Sequence, residues 1–168
     1  MKYIIPVLFV ALALTLIGCG KSAEDYMKDA TEKLKAQNVA EAVASYQKIL
    51  EEFPQSEQAP DALYQLATIY QGLLLPNLSR EESLIQAVTS FKTVYEKYPK
   101  NKYAPVSLFM SGFIMANELH QYEEATKTYN LFIDKFPDHQ LASSARDELD
   151  NMGLAPDEIL KKKGEPSK

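Results

Sequence analysis

Residues 122–137 read YEEATKTYNLFIDKFP, and the same pattern occurs twice more upstream. Each copy has an alanine, an aromatic residue at +4, a large apolar residue at +7, an aromatic residue at +11 and a proline at +12. The alanines are Ala42, Ala87 and Ala125, and apolar residues also stand at −3 and +8 in every copy. Apart from the proline, these positions fall on one face of an α-helix. The pattern therefore predicts a repeat protein built from amphipathic helices.

A proline closes each copy, at Pro54, Pro99 and Pro137. Proline lacks an amide hydrogen and disfavours helical geometry in the residue before it, so each helix should end there. Small residues follow five and eight positions after each proline: Ala59, Ala62, Ala104, Ser107, Ala142 and Ala145. Small residues at a spacing of three allow a second helix to approach its neighbour closely. The predicted unit is a helix with small residues, a turn, and a helix with the aromatic pattern, and such units stack into an α-solenoid.

Helix boundaries can be predicted from capping signals. Ser22 precedes two acids and should cap a first helix that runs to about residue 37. Asn38 with Glu41, and Ser79 with Glu82, have the spacing of capping boxes. Residues 141–152 form the last amphipathic pattern, which predicts a C-terminal capping helix. Residues 153–168 then predict a short helix starting near 156 and a disordered tail that includes the lysines at 161–163.

Several residues carry a resemblance to the tetratricopeptide repeat (TPR) family. They are Leu63, Leu66, Ala67, Tyr70, Tyr122, Glu123, Glu124, Ala125, Tyr129, Phe136 and Pro137. The resemblance covers residues 24–152 and implies an all-α fold, a TPR-type α-solenoid of about three helix–turn–helix repeats plus a C-terminal capping helix. Gly112 falls near the family's glycine position. The pattern alanines are 45 and then 38 residues apart, and the excess of seven is assigned to residues 71–78.

The first twenty residues predict export. Lys2 is followed by an apolar run over residues 3–17, which is shorter than the roughly 20 residues of a membrane span. Residues 16–19 resemble the bacterial lipoprotein box. That resemblance implies a signal peptide over 1–18, a lipidated tether over 19–23, and a diacylglyceryl group and an N-acyl chain on Cys19. Gly20, where aspartate would favour inner-membrane retention, implies the periplasmic face of the outer membrane. A free Cys19 in an ordinary signal or anchor is the alternative.

Composition excludes some classes of function. The net charge of −5 argues against nucleic-acid binding, and one cysteine leaves no internal disulfide. The two histidines, His120 and His139, stand in predicted turns, and no His, Cys and acid cluster has metal-ligand spacing. No phosphate loop or nucleophile elbow occurs. We therefore expect no catalytic residues, no metal, no small-molecule substrate, and no cofactor apart from the acyl chains on Cys19.

Binding is expected on the first helix of each repeat, because first helices line the concave side of TPR solenoids. The candidate residues there are Tyr64, Thr68, Gln71, Phe113 and Asn117. The three consecutive leucines Leu73, Leu74 and Leu75 are a second candidate, since they cannot all face one core. The alternative is a lengthened helix pair that buries them.

The sequence pattern of the repeats is also similar to that of the BamD-type lipoproteins of β-barrel assembly and of the Tol–Pal coordinators. This resemblance implies a lipid-anchored scaffold that binds other envelope proteins and catalyses nothing, in outer-membrane β-barrel assembly. The alternatives are a scaffold for Tol–Pal and cell division, or for type IV pilus assembly. An alternative of another class is an envelope enzyme or an enzyme activator.

Overall fold

The structure, a computed structural model, describes residues 20–164. The predicted signal peptide and Cys19 lie outside these residues. Within them the chain forms eight α-helices and no strand. The helices are α1 (Ala23–Lys35), α2 (Val39–Glu52), α3 (Gln58–Gln71), α4 (Arg80–Lys97), α5 (Ala104–Asn117), α6 (Tyr122–Lys135), α7 (Ala142–Asn151) and α8 (Pro156–Gly164).

The first seven helices stack in chain order. α1 pairs with α2, α3 with α4, and α5 with α6, and α7 packs against α6. Successive pairs are joined through α2 with α3, α4 with α5, and α1 with α3. This arrangement confirms the predicted all-α solenoid of three helix–turn–helix repeats with a capping helix. Because each unit contacts mainly its neighbours, the core is continuous along the stack.

The aromatic pattern forms the centre of this core. The alanine, the aromatic residue at +4 and the apolar residue at +7 are buried in all three copies: Ala42, Tyr46, Ile49, Ala87, Phe91, Val94, Ala125, Tyr129 and Phe132. The aromatic residues at +11 are half-buried and pack against the core. Position −3 varies, because Leu84 is buried, Val39 is half-buried and Tyr122 is exposed. The predicted stripe is therefore confirmed except at Tyr122.

The prolines end the second helices as predicted. Phe53, Tyr98 and Phe136, each directly before a proline, leave helical geometry with φ of −132°, −128° and −134°. Their ψ angles are 49°, 54° and 54°, so all three helix ends have the same conformation. The small residues that follow the prolines are all buried, which confirms the close approach of the first helices.

Two of the three capping predictions hold. Ser22 and Asp25 form a reciprocal capping box, and so do Ser79 and Glu82. The prediction for Asn38 was wrong, because its side chain makes no cap hydrogen bond. Its ψ of 64° differs from the extended values of 169° at Ser22 and 161° at Ser79. An N-cap side chain reaches the amides of the first turn from extended backbone geometry.

The extra residues of the middle repeat are divided between two places. The loop between α3 and α4 covers residues 72–79, but α4 also has 18 residues where α2 and α6 have 14. The assignment of the whole excess to 71–78 was therefore wrong. The capping box at Ser79 starts α4 one turn earlier than its counterparts.

The C-terminal segment is more helical than predicted. Gly153, with φ of +77°, follows α7 in a left-handed conformation that glycine adopts without strain. α8 continues through residue 164, so the prediction of a disordered tail from 161 was wrong for residues 161–164. Lys161 pairs with Asp157 one turn earlier, at 3.6 Å, and Lys162 Nζ donates to the Asp150 carbonyl at 2.6 Å. These contacts supply local support for the helix.

One charged network joins the two helices of the first repeat. The buried Ser45 hydroxyl donates to Asp29 Oδ2 at 2.6 Å, and Lys33 Nζ lies 2.9 Å from the same oxygen. The Ser45 hydrogen bond and then Lys33 lower the pKa of Asp29 from 3.8 to about 2. Since the folded state favours the ionised carboxylate, Asp29 stabilises the fold above its unfolded pKa, and this contribution is lost as the pH falls towards 2.

We expect Asp29→Asn to lower the free energy of unfolding at neutral pH by about 1 kcal/mol, the net value of a hydrogen bond to a partly exposed charged group. Urea unfolding of both proteins at pH 7 and pH 2 measures the difference. It should shrink at pH 2, where the wild-type carboxylate is largely protonated in the unfolded chain. A difference that is equal at both pH values would contradict the role of the charge.

Candidate functional site

The solenoid has two edges formed by different sets of turns. The turns at Pro54, Pro99 and Pro137 lie on one edge, which we call the proline edge. The Tyr26 ring in the first turn of α1 is 6.3 Å from the ring of Phe53. The chain therefore enters the solenoid at the proline edge. The opposite edge, formed by the turn inside each repeat, is the hairpin edge.

Each turn of the hairpin edge contains a residue in the left-handed conformation. These residues are Gln37, Leu73 and His120, with φ of 62°, 55° and 54°. Left-handed geometry costs a residue with a side chain roughly 1–2 kcal/mol, which is why glycine is usual after a helix. In this chain all three positions carry larger residues.

The three leucines of the middle hairpin turn have different environments. Leu73 is 38% exposed and Leu74 is 50% exposed, whereas Leu75 is 8% exposed and belongs to the core. The prediction of a partner contact at Leu75 is therefore corrected, because its side chain is not available. Leu73 and Leu74 remain available. The exposure agrees with the expectation that the three leucines do not all face one core, and the alternative of a lengthened helix pair that buries them was wrong.

A groove runs beside Leu74 on the hairpin edge. It has a volume of about 300 Å³ and is lined by Gln37 and Asn38 of the first hairpin turn, by Val39, Ala40 and Glu41 of α2, and by Leu74, Leu75 and Pro76 of the loop. We call this groove, together with Leu73, the loop groove. Its walls are mainly apolar, and it lies between the hairpin turns of the first two repeats. It can accept an apolar side chain of another protein.

The candidate residues of α3 are only partly accessible. Tyr64 is half-buried and stacks on Tyr103 with ring centroids 4.1 Å apart and an angle of 8° between the planes. Its other neighbour is the Phe91 ring at 5.7 Å. Thr68 is exposed and donates its hydroxyl to the Tyr64 carbonyl. Gln71 is half-buried as the last residue of α3.

The candidate residues of α5 lie in another part of the molecule. Phe113 is half-buried and packs against the core. Asn117 is exposed and donates its amide to Glu148 Oε2 on α7 at 3.0 Å. Asn117 also lines a cavity of about 540 Å³ between α5, α7 and α8, together with His120, Tyr122, Glu148 and Ile159. Apart from Phe113, which packs against the core, the predicted residues thus divide among the α3 face, the loop groove and this cavity.

Sequence reasoning missed Tyr103 and its neighbour Lys102. The Lys102 ammonium lies 4.7 Å from the centre of the Tyr103 ring and 3.8 Å from the Asp61 carboxylate. Tyr103 directly precedes Ala104, the first residue of α5. The equivalent residues before the other two small-residue helices are not aromatic, so no repeat signal marks this position.

Within residues 20–164, no group of three His, Cys, Asp or Glu residues is placed to hold a metal ion. Among the helices of the same region, none combines the length and apolar character that crossing a membrane requires.

Comparison with protein families agrees with the helix pairing. Residues 22–56 and 106–139 match the model of the tetratricopeptide repeat. The protein carries tetratricopeptide repeats. The first matched segment contains α1 and α2, and the second contains most of α5 and all of α6. The lengthened α3–α4 pair lies between them and has the same packing. The comparison with curated proteins found no match.

TPRs are non-enzymatic modules that bind other proteins. The repeats accordingly indicate a scaffold that binds protein partners.

Proposed function

We propose that this protein is a lipid-anchored TPR scaffold on the periplasmic face of the outer membrane, where it binds envelope proteins during β-barrel assembly. The TPR repeats support a protein-binding role. Residues 16–19, which resemble the lipoprotein box, support an anchor on Cys19. The sequence pattern of the repeats resembles that of the barrel-assembly lipoproteins, which supports the role in barrel assembly.

The observation that carries the partner-binding part is the exposure of two leucines, Leu73 and Leu74, beside the loop groove. Leu73 has a left-handed backbone and an exposed leucine side chain, and both features are unfavourable for the isolated protein. Glycine at this position would remove both costs. The left-handed backbone closes α3, as the equivalent residues do in the other hairpin turns, so the feature that the fold does not use is the exposed leucine side chain. The loop groove beside it supplies an apolar surface for the partner.

The anchor is tested by replacing the lipidated residue. We expect Cys19→Ala to move the protein from the membrane fraction to the soluble fraction, because it removes every acyl chain. Single acyl chains bind membranes only reversibly, and stable anchoring needs more than one. Fractionation of cells that express either protein measures this. A Cys19→Ala protein that still sediments with membranes would refute the anchor.

The partner site is tested by cross-linking in intact cells, followed by purification of the full chain. We expect Leu73→Gly combined with Leu74→Ser to reduce the captured barrel-assembly components by about tenfold or more, since central apolar contacts dominate interfaces. Leu73→Gly alone should raise the free energy of unfolding by about 1 kcal/mol, so weaker capture cannot be ascribed to unfolding.

The matched control is Leu154→Ser with Leu160→Ser, which removes two exposed leucines near the C-terminus. Capture by this control should equal that of wild type. Equal capture by the Leu73 and Leu74 variant would refute the loop groove as the site. Recovery of Tol–Pal, division or pilus proteins instead would refute the role in barrel assembly.

A further inference from the structure

We propose that a cleft on the proline edge binds the phosphate-bearing headgroup of an anionic phospholipid and so orients the anchored solenoid on the bilayer. The proposal rests on the lipid anchor of the proposed function. The cleft lies between the turn at Pro54 and the turn at Pro99. We call it the lysine cleft, after Lys97 and Lys100 in its wall.

The lysine cleft is built by two neighbouring turns that are fixed to each other. It has a volume of about 410 Å³, and its polar lining consists of Gln55, Ser56, Lys97, Tyr98, Lys100 and Asn101. The Tyr98 hydroxyl donates to the Pro54 carbonyl at 2.9 Å and joins the two turns. Burial raises the pKa of Tyr98, so this hydroxyl keeps its proton. The walls of the cleft are therefore positioned before any ligand binds.

The charges in the cleft suit a phosphate group. Residues 97–103 contain three lysines and no acid, in a chain whose net charge is −5. Lys102 contacts Asp61, but neither Lys97 nor Lys100 forms an ion pair with a carboxylate in residues 20–164. The Ser56 hydroxyl oxygen is buried and finds no hydrogen-bond partner within the same range. The two ammonium groups can donate charge-assisted hydrogen bonds to the oxygens of a phosphodiester.

The position of the cleft favours a membrane lipid over an acidic partner protein. The α1 helix starts on the proline edge, and a lipidated Cys19 is separated from Ala23 by only three residues. An extended chain spans at most about 3.6 Å per residue, so the start of α1 on this edge is held within roughly 15 Å of the acylated Cys19. The tether thus keeps the lysine cleft beside lipid headgroups at a high effective concentration.

The same geometry places the loop groove away from the bilayer. The 13 residues of α1 span the solenoid from the proline edge to the hairpin edge, about 20 Å at the helical rise. Contact between the lysine cleft and the headgroups would therefore direct Leu73 and Leu74 towards the periplasm. The two surfaces have separate roles, one for the membrane and one for the partner.

The test uses the full lipidated chain in vesicles of phosphatidylcholine, with or without phosphatidylglycerol. A fluorophore is attached to Gln140→Cys on the proline edge or to Asn77→Cys on the hairpin edge. The lipidated Cys19 sulfur does not react, so the label is specific. Quenching by a headgroup-labelled lipid reports proximity. We expect phosphatidylglycerol to raise quenching at 140 about two- to threefold, with no rise at 77, and high salt to remove the rise.

The double variant Lys97→Gln with Lys100→Gln should abolish the rise in quenching that phosphatidylglycerol causes at residue 140. The control Lys28→Gln with Lys35→Gln changes the net charge equally and should retain this rise. Inorganic phosphate at matched ionic strength should leave it unchanged. A rise that persists in the Lys97 and Lys100 variant, equal quenching at both labels, or displacement by inorganic phosphate would overturn the headgroup assignment.

A failure of the anchor is recognised separately, because the wild-type chain would then not float with neutral vesicles. In that case the unlipidated Cys19→Ala chain is sedimented with phosphatidylglycerol vesicles at low ionic strength. Binding should be severalfold weaker in the Lys97 and Lys100 variant than in the Lys28 and Lys35 control. Equal binding by the two variants would overturn the cleft independently of the anchor.

Discussion

Replacing Phe91 with alanine is expected to lower the free energy of unfolding by about 3–5 kcal/mol, the usual cost of truncating a buried phenylalanine. Phe91 is 1% exposed and lies in the middle repeat. Its ring meets the Tyr64 ring at 5.7 Å in an edge-on arrangement. The truncation would leave a cavity in the middle repeat, which contacts both the first and the third repeat. A loss of this size is a large fraction of the stability of a typical domain.

Urea or thermal unfolding followed by circular dichroism measures this effect. The matched control is Tyr122→Ala, which also truncates a pattern aromatic but one that is 41% exposed. We expect the control to change the free energy of unfolding by less than about 1 kcal/mol, as is usual for surface positions. A Phe91→Ala protein as stable as this control would show that the aromatic pattern does not form the core.

The helical core could be predicted because its determinants are local. The residues at 0, +4 and +7 recur at helical spacing, and the prolines act on the residue directly before them. Ser22 and Ser79 carry their capping partners three residues away in the sequence. Each of these features can be read without knowing which helices meet.

The features that escaped prediction depend on contacts between distant residues or on turn geometry. The three consecutive leucines at 73–75 show no helical periodicity, so the sequence does not indicate which of them is buried. In the structure the chain turns at Leu73 in a left-handed conformation, and Leu75 is the buried residue. Tyr122 follows the stripe but starts α6 beside the short α7, so little covers it. Tyr64 was a candidate contact residue, yet its stack on Tyr103 joins α3 to the start of α5. A single sequence does not show such pairs.

Inserting a side chain at Gly112 is the second change with a large expected effect. A Cβ atom at this position would lie 3.1, 3.2 and 3.3 Å from three carbons of the Tyr129 ring. Tyr129 is fully buried, so its ring has little room to move. Gly112→Val should therefore destabilise the fold by about 2–3 kcal/mol through overpacking. Valine has a slightly better helix propensity than glycine, but this difference offsets only a few tenths of a kcal/mol of the loss.

Unfolding experiments on a double-mutant cycle attribute the loss to this contact. In a Tyr129→Leu background, which has no ring at this place, Gly112→Val should cost less than in wild type, by about 1 kcal/mol or more. In a Tyr129→Phe background the cost should be unchanged, because the ring carbons remain. Tyr129→Phe alone should not destabilise, since the Tyr129 hydroxyl is buried without a partner in residues 20–164.

Equal costs of Gly112→Val in all three backgrounds would contradict the close contact. The close approach at Gly112 also distinguishes the third repeat from the middle one. Ala67 occupies the position of Gly112 in the middle repeat and is fully buried. It faces Phe91, whose ring has the same carbons as that of Tyr129, so the distance between the helices and not the type of aromatic residue sets the two repeats apart. The glycine is thus required by the third repeat alone, where α5 approaches the Tyr129 ring too closely for a Cβ atom.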